Sequence, residues 1–246
     1  MGDLLNPMGE LAEEPEQDMS PAPDVNEKAQ KGDGKKLFFT ILAVIGIFAF
    51  FFIAFKGWNG ITGAAPITID DFHTENLEGN LEEEQGYIYN GFSFVNVDNL
   101  WWSEVNLPDK RFKFPLHFGP KDVDQIPVTG NLDPAFSQGQ LVYIAIDPIK
   151  SNQYQALAAS ELSINMAQGM NRIPEAVCTF EDSICDNRTI ANCEDTKGMP
   201  LIEIVDGDGP RIEANGMCIK LIGKELDIVK AADRIILNWY GIIDVK

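Results

Sequence analysis

An uninterrupted apolar run near the N-terminus constrains this chain more than any other feature. Residues 37–55, LFFTILAVIGIFAFFFIAF, contain no charge and no proline. A helix of this length, at about 1.5 Å per residue, is roughly 28 Å long, which is close to the hydrocarbon thickness of a bilayer. Apolar residues occupy every side of such a helix, so it has no polar face to turn toward water. The run therefore predicts a transmembrane helix that contacts membrane lipid through residues 37–55.

A cleaved signal peptide is the main alternative for this run. Signal peptides have a short basic segment, an apolar region of about 7–15 residues and a small-residue cleavage site. Here the preceding segment is long and acidic, and the small-residue site GAA at 63–65 is followed by Pro66. A pilin-type leader also places an apolar helix after a basic stretch, but the glutamate expected early in that helix is absent. The sequence favours an uncleaved signal anchor over residues 35–58.

Lysines flanking the run predict its orientation. Lys56 is the only lysine that closely follows it, whereas four precede it: Lys28, Lys31, Lys35 and Lys36. The positive-inside rule then keeps the N-terminus in the cytoplasm and makes the C-terminal domain extracytoplasmic in the cell membrane. Residues 1–34 are acidic, contain prolines and lack a sustained apolar period, so we expect a disordered cytoplasmic tail there.

Charge and composition also exclude one class of partner. The chain of 246 residues carries a formal net charge of −19, and its lysines and arginines are few and scattered. Nucleic-acid binders need a basic patch to displace counterions from phosphates, so we expect no nucleic-acid partner.

The part of the chain after the span predicts a stalk and one folded domain. Residues 59–86 are rich in Gly, Asn and Glu and indicate a stalk, and residues 87–246 are expected to form the domain. Aromatic and β-branched residues over 87–106, with turn pairs at Asn90-Gly91 and Asp98-Asn99, predict antiparallel hairpins. A further strand is expected over 111–118.

The second half of the domain mixes strands and helices. The run LVYIAI at 141–146 predicts a strand buried on both faces, and residues 201–205 predict another. Apolar stripes over 151–170 and 227–240 predict two main helices. A hairpin turning at Asn215-Gly216 would pair Glu213 with Cys218. The fold class that follows is α+β (or α/β), with a mixed β-sheet, hairpins and two main helices.

All four cysteines fall in the predicted outer domain and predict two disulfides: Cys178, Cys185, Cys193 and Cys218. Three connectivities are possible. Pairing nearest neighbours closes the smallest loops and favours Cys178–Cys185 with Cys193–Cys218. The Cys-x2–4-Cys spacing of zinc sites and the Cys-x-x-Cys of redox enzymes are both absent, so we expect no metal and no cofactor.

One sequon lies inside the cysteine-rich loop. Asn187 is followed by Arg188 and Thr189, which matches the acceptor pattern for N-glycosylation. Asn187 is therefore a glycosylation candidate, and the alternative is an ordinary polar loop.

Three side chains are weak candidates for a chemical site. His117 ends a predicted strand, Asp147 follows the buried strand where α/β sheets place ligands, and Glu161 lies within a helix beside apolar residues. Each also has a structural interpretation: a packed histidine, a turn residue before proline, and a boundary acid that reaches water. The standard sequence patterns of hydrolases and phosphate-binding loops are absent, so no catalytic residue is assigned.

Several short segments of the outer domain resemble uncharacterised single-pass membrane proteins of archaea: YNGFSFV at 89–95, IDP at 146–148, CIKLIG at 218–223 and AADRIILNWYGI at 231–242. The resemblance covers most of the outer domain and the cysteine loop, and includes no catalytic motif. It implies one transmembrane helix followed by a disulfide-bonded extracytoplasmic domain, and it implies no activity.

Two functions follow as hypotheses. The first is a membrane-anchored extracytoplasmic binding or assembly module of the cell envelope, with other envelope proteins as partners and no assignable activity. The alternative is a membrane-tethered hydrolase-like enzyme that uses Asp147, Glu161 or His117. The enzyme hypothesis requires these side chains to lie within hydrogen-bond reach of one another in one cleft.

Overall fold

The computed structural model describes residues 33–62 and 67–244, which form a long helix and a separate folded unit. Helix α1 spans Asp33–Thr62. Within the described residues it is the one helix long and apolar enough to cross a membrane, over Phe38–Lys56, and none of that stretch is buried against protein. Thr40 returns its hydroxyl to the carbonyl of Lys36 at 2.8 Å, which satisfies the hydroxyl within the helix. The tail expected over 1–34 lies outside the described residues, apart from the first positions of α1.

The folded unit contains a four-stranded antiparallel sheet whose strands follow in chain order. Its strands are β1 (Gly86–Tyr89), β2 (Phe92–Val97), β3 (Leu100–Asn106) and β4 (Arg111–Leu116). Both central residues of the first two turns have positive φ, from 49° at Asn90 to 86° at Gly91. Two consecutive residues of positive φ give the turn whose twist matches that of paired strands. The predicted hairpins and the following strand are confirmed.

Helix α2 (Ile69–Glu78) corrects the predicted stalk. Thr68 caps its first turn, and the helix packs against β2. His73 and Asn76 are buried: His73 Nδ1 lies 2.8 Å from Ser93 Oγ, and Asn76 Nδ2 donates to the same oxygen at 2.7 Å. Residues 69–78 are therefore part of the folded unit, held there by polar contacts that composition alone did not reveal.

The second sheet has six strands: β5 (Val128–Leu132), β6 (Leu141–Ile146), β7 (Ile173–Cys178), β8 (Leu201–Asp206), β9 (Arg211–Gly216) and β10 (Cys218–Gly223). Their order across the sheet is β5-β9-β10-β8-β6-β7. β10, β8, β6 and β7 are parallel, β9 is antiparallel to β10, and β5 is parallel to β9. The predicted mixed sheet is confirmed, and β6 lies between two neighbours, as its apolar run requires.

The β9–β10 hairpin forms with a different register from the predicted one. Glu213 pairs with Lys220 rather than with Cys218, which pairs with Asn215. The turn is Gly216-Met217, and Gly216 has a φ of 57°. Glycine as the first central residue is typical of the type II′ turn, whereas the prediction assumed Asn-Gly at both centres. The alternation of faces is the same in both registers, so Cys218 still faces away from the main core.

Helix α5 (Leu226–Trp239) forms the centre of the folded unit. It contacts β8, β9 and β10, and α4 (Gln153–Ile164) packs along it. α4 continues into a π-helical turn, Asn165–Gly169, and the short α3 (Pro120–Val123) also touches α5. The ring of Tyr240, just after α5, lies 4.7 Å from that of Phe114 on β4. One core thus joins both sheets, and both predicted main helices are confirmed.

Candidate functional site

Two of the three predicted site residues meet at the end of β4. His117 directly follows β4, and Glu161 lies near the end of α4. His117 Nδ1 lies 2.5 Å from Glu161 Oε1. The Glu161 side chain is almost wholly buried, whereas about a third of the His117 ring is exposed. The contact therefore joins an interior carboxyl to an imidazole that reaches the surface.

A third acid, Asp233 on α5, completes this cluster and was missed in the sequence. Asp233 is fully buried, and its Oδ2 accepts a hydrogen bond from the backbone N–H of Phe118 at 2.8 Å. Burial raises the pKa of Asp233 well above its ordinary value, and the neighbouring charge of Glu161 raises it further. Glu161 Oε2 and Asp233 Oδ1 have no hydrogen-bond partner among the described residues. The cluster therefore buries two carboxyl groups near enough for one to shift the pKa of the other.

The cluster fixes the ring of His117. The contact with Glu161 orients the imidazole, and in the tautomer that carries its proton on Nδ1 the other nitrogen, Nε2, is the acceptor that a general base needs. Packing also explains the contact without chemistry, because it gives the buried Glu161 carboxyl a hydrogen-bond partner. The signal available in the sequence was Asp233-Arg234, a charged pair inside the apolar run of α5.

Asp147 does not join His117 and Glu161. Its Oδ1 accepts from the backbone N–H groups of Ile149 at 2.9 Å and Lys150 at 3.0 Å, so it closes the turn after β6. It lines a polar cavity of about 180 Å³ with Gln155 near the start of α4. Gln155 and Glu161 are six positions apart, which is about 9 Å along a helix axis. The structure therefore does not assemble the three-residue hydrolytic site.

The cysteines form two pairs, Cys178 with Cys185 and Cys193 with Cys218, which is the pairing that the sequence favours. The Cα atoms are 6.3 Å and 5.4 Å apart. The second pair holds residues 179–200 over the sheet face that α5 does not cover. A small second core lies under this loop, formed by Ala145, Val177, Ala191, Leu201 and Cys218.

Glu203 lies beside the second pair. Its Oε2 accepts from the backbone N–H of Cys193 at 2.8 Å, and a carboxylate oxygen lies within 4.8 Å of both sulfur atoms. Zinc binds thiolates, and two sulfurs joined in a disulfide are not thiolates. In the paired state this cluster is a structural contact of the loop.

The sequon residue Asn187 is exposed in the same loop and has a φ of 66°. Its amide is accessible to a modifying enzyme, and glycosylation of Asn187 stays a prediction.

A cleft of about 550 Å³ opens between the edge strand β5 and the C-terminal half of α5. Gly130 allows β5 to approach β9 closely, since a Cβ there would meet the carbonyl oxygen of Ala214 at 1.9 Å and its φ is 83°. Ser137 and Asn131 lie at the exposed side. The apolar walls come from both layers: Val128, Leu132, Phe136, Met166, Met170, Ile212, Ile219, Ile235 and Trp239.

Of the residues that the structure describes, Arg172 is the one charged residue that lines this cleft. Its Nη2 donates to the carbonyl of Phe136 at 2.8 Å, and the guanidinium lies 5.5 Å from the centre of the Phe136 ring. Its Nε is buried without a partner, and no carboxylate lies within 4.0 Å of it in the part of the chain described. Burial lowers the pKa of Arg172. This site was missed in the sequence because β5, which forms its outer wall, was not predicted.

No protein-family model matches this chain, and neither the curated proteins nor the solved structures contain a significant match. These comparisons give no support to the resemblance to archaeal membrane proteins, and neither source nor activity follows from them. The structure itself defines an α+β unit preceded by one apolar helix.

Proposed function

We propose that this protein is a membrane-anchored extracytoplasmic binding module of the cell envelope, and that its ligand site is the cleft between β5 and α5. The single observation that carries the proposal is this cleft: about 550 Å³, walled by apolar side chains and containing one guanidinium. Small-molecule sites in proteins typically have about 300–1,000 Å³, mostly apolar walls and a few placed polar groups.

The membrane attachment and compartment are supported by separate features. The apolar side chains of Phe38–Lys56 are not buried against protein in the described residues, which suits contact with lipid. The lysines before this stretch favour a cytoplasmic N-terminus. Two cysteine pairs at disulfide distance suit an oxidising compartment for the folded unit.

A count of the free and the disulfide-bonded cysteines tests the compartment of the folded unit. Protein from its native membrane is alkylated before and after reduction, and the labelled cysteines are counted by mass spectrometry. We expect all four cysteines to be blocked before reduction, with linked peptides that join Cys178 to Cys185 and Cys193 to Cys218. Four free thiols would place the folded unit in a reducing compartment and overturn the extracytoplasmic assignment.

Trp239 fluorescence tests the cleft as a binding site. The full chain in phosphatidylcholine nanodiscs is titrated with octan-1-ol, and the emission of a Trp239→Phe variant is subtracted. We expect a saturable change that Ser137→Phe reduces, because an aromatic ring at this exposed position fills the mouth of the cleft. A signal that never saturates, or one that Ser137→Phe leaves unchanged, would rule out this cleft.

A hydrolase-like enzyme is the second candidate, favoured by the 2.5 Å contact between His117 Nδ1 and Glu161 Oε1. If His117 is a general base, His117→Ala should abolish the hydrolysis of a chromogenic ester by the purified protein. The binding-module proposal instead expects no such activity above background, and binding by His117→Ala equal to that of the natural sequence.

A further inference from the structure

We propose that the cleft binds a small amphiphile with a single carboxylate head and an apolar body, and that Arg172 holds the carboxylate. This inference rests on the proposed function, since it names the ligand class of the same cleft.

The charge of the cleft favours an anionic ligand. The chain as a whole is strongly acidic, yet among residues 33–62 and 67–244 no acidic residue lines this cleft and Arg172 is its one cation. A partly buried guanidinium without an anion loses hydration that nothing restores. Its contacts with Phe136 use one nitrogen and one face, and they contribute no negative charge. An incoming anion would supply the missing partner.

The geometry of Arg172 favours a planar, singly charged head. The guanidinium presents its donors in a rigid fork that matches two carboxylate oxygens. The backbone N–H of Arg172 is bonded to the Met166 carbonyl at 2.9 Å, so the base of the side chain is fixed by the π-helical turn. A doubly charged phosphate would leave one charge unpaired, because the lining offers no second cation.

The walls determine the rest of the ligand. Two methionines, Met166 and Met170, line the cleft together with Arg172, and methionine side chains adapt to irregular apolar shapes. Ile235 and Trp239 on α5 continue the apolar wall. A body that leaves water for this surface gains hydrophobic free energy in proportion to the area it buries.

The test compares two probes of equal length, octanoate and octan-1-ol. The full chain in phosphatidylcholine nanodiscs is titrated with each, again using the Trp239 signal. Because hydrogen bonds to charged groups contribute about 1.5–3 kcal/mol, and a tenfold change in affinity corresponds to about 1.4 kcal/mol, we expect octanoate to bind about 10- to 100-fold more tightly. Arg172→Gln should remove this preference by weakening octanoate binding, whereas Arg188→Gln, on an exposed arginine outside the cleft, should preserve it.

Each outcome separates the inference from the proposed function. Equal binding of both probes by the natural sequence would overturn the carboxylate assignment and leave the cleft as a binding site. Saturable binding of neither probe would overturn both. Retention of the octanoate preference by Arg172→Gln would also refute the role of Arg172.

Two further measurements guard against a folding artefact. Near-ultraviolet circular dichroism of Arg172→Gln should match that of the natural sequence, and saturable octan-1-ol binding by the same variant shows that the cleft still forms. Arg172→Lys keeps the charge but lacks the fork, so we expect an intermediate preference. A preference in Arg172→Lys equal to that of Arg172 would show that charge alone selects the head.

Discussion

The two disulfides should contribute unequally to stability, and the difference follows from the chain that each one closes. Cys193 and Cys218 are 25 residues apart in sequence, and Cys178 and Cys185 are 7 apart. In the chain-entropy treatment, loops of these lengths correspond to about 3.5 kcal/mol and about 2.4 kcal/mol at room temperature. The Cys193–Cys218 pair also ties residues 179–200 to β10 beside the small second core, so its loss releases these residues from the sheet.

The comparison needs two matched double variants, Cys193→Ala with Cys218→Ala and Cys178→Ala with Cys185→Ala. Urea unfolding of the full chain in detergent, followed by tryptophan fluorescence, gives the free energy of unfolding of each. We expect a loss of about 3–4 kcal/mol for the first and about 2–3 kcal/mol for the second. Equal losses of unfolding free energy in the two variants, or losses in the reverse order, would contradict the dependence on loop length. Reduction of the disulfides in the natural sequence provides an independent check.

Two further predictions concern buried polar groups in the folded unit. Asn76→Ala should lower the free energy of unfolding by about 1–3 kcal/mol in the same urea assay, because it strands buried acceptors on β1 and β2. A change near zero would indicate that α2 does not pack against the sheet and belongs to the predicted stalk. The raised pKa of Asp233 means that the native state binds a proton more tightly than the unfolded state. The stabilisation of the native state by this bound proton is complete below the ordinary pKa of 3.8, and it is lost as pH rises through the native pKa. Asp233→Asn keeps the acceptor for Phe118 and cannot titrate, so its stability relative to the natural sequence should increase as pH rises above 3.8. Urea midpoints measured across the acidic to neutral range check this, and a constant difference would contradict it.

Local backbone chemistry made part of the fold predictable. Asn90-Gly91 and Asp98-Asn99 need only their own positive φ values to turn a hairpin, and the apolar run of β6 needs only to be buried. The same logic correctly favoured the cysteine pairing. The β9–β10 hairpin shows the limit of local reasoning. Two turn types are compatible with the pair Asn215-Gly216, and local chemistry does not choose between them. In the structure, strand β5 lies beside the turn that forms at Gly216.

The parts that could not be predicted depend on distant partners. Strand β5 is short, partly polar and interrupted by Gly130, and it becomes a strand only by pairing with β9. Strand β7 contains Pro174, and α2 presents polar rather than apolar residues to its sheet. The cluster of His117, Glu161 and Asp233 requires β4, α4 and α5 to meet across more than a hundred residues. Single-sequence periodicity carries no information about such meetings.

Helix α5 also determines when the newly made chain becomes protected from aggregation. It is synthesised after the ten strands of the described residues, yet its side chains fill the core that joins the two sheets. Until residues 226–239 emerge, the apolar faces of both sheets lack their common partner and are open to other chains. A chain released before Leu226 would contain these strands without the helix that completes their core.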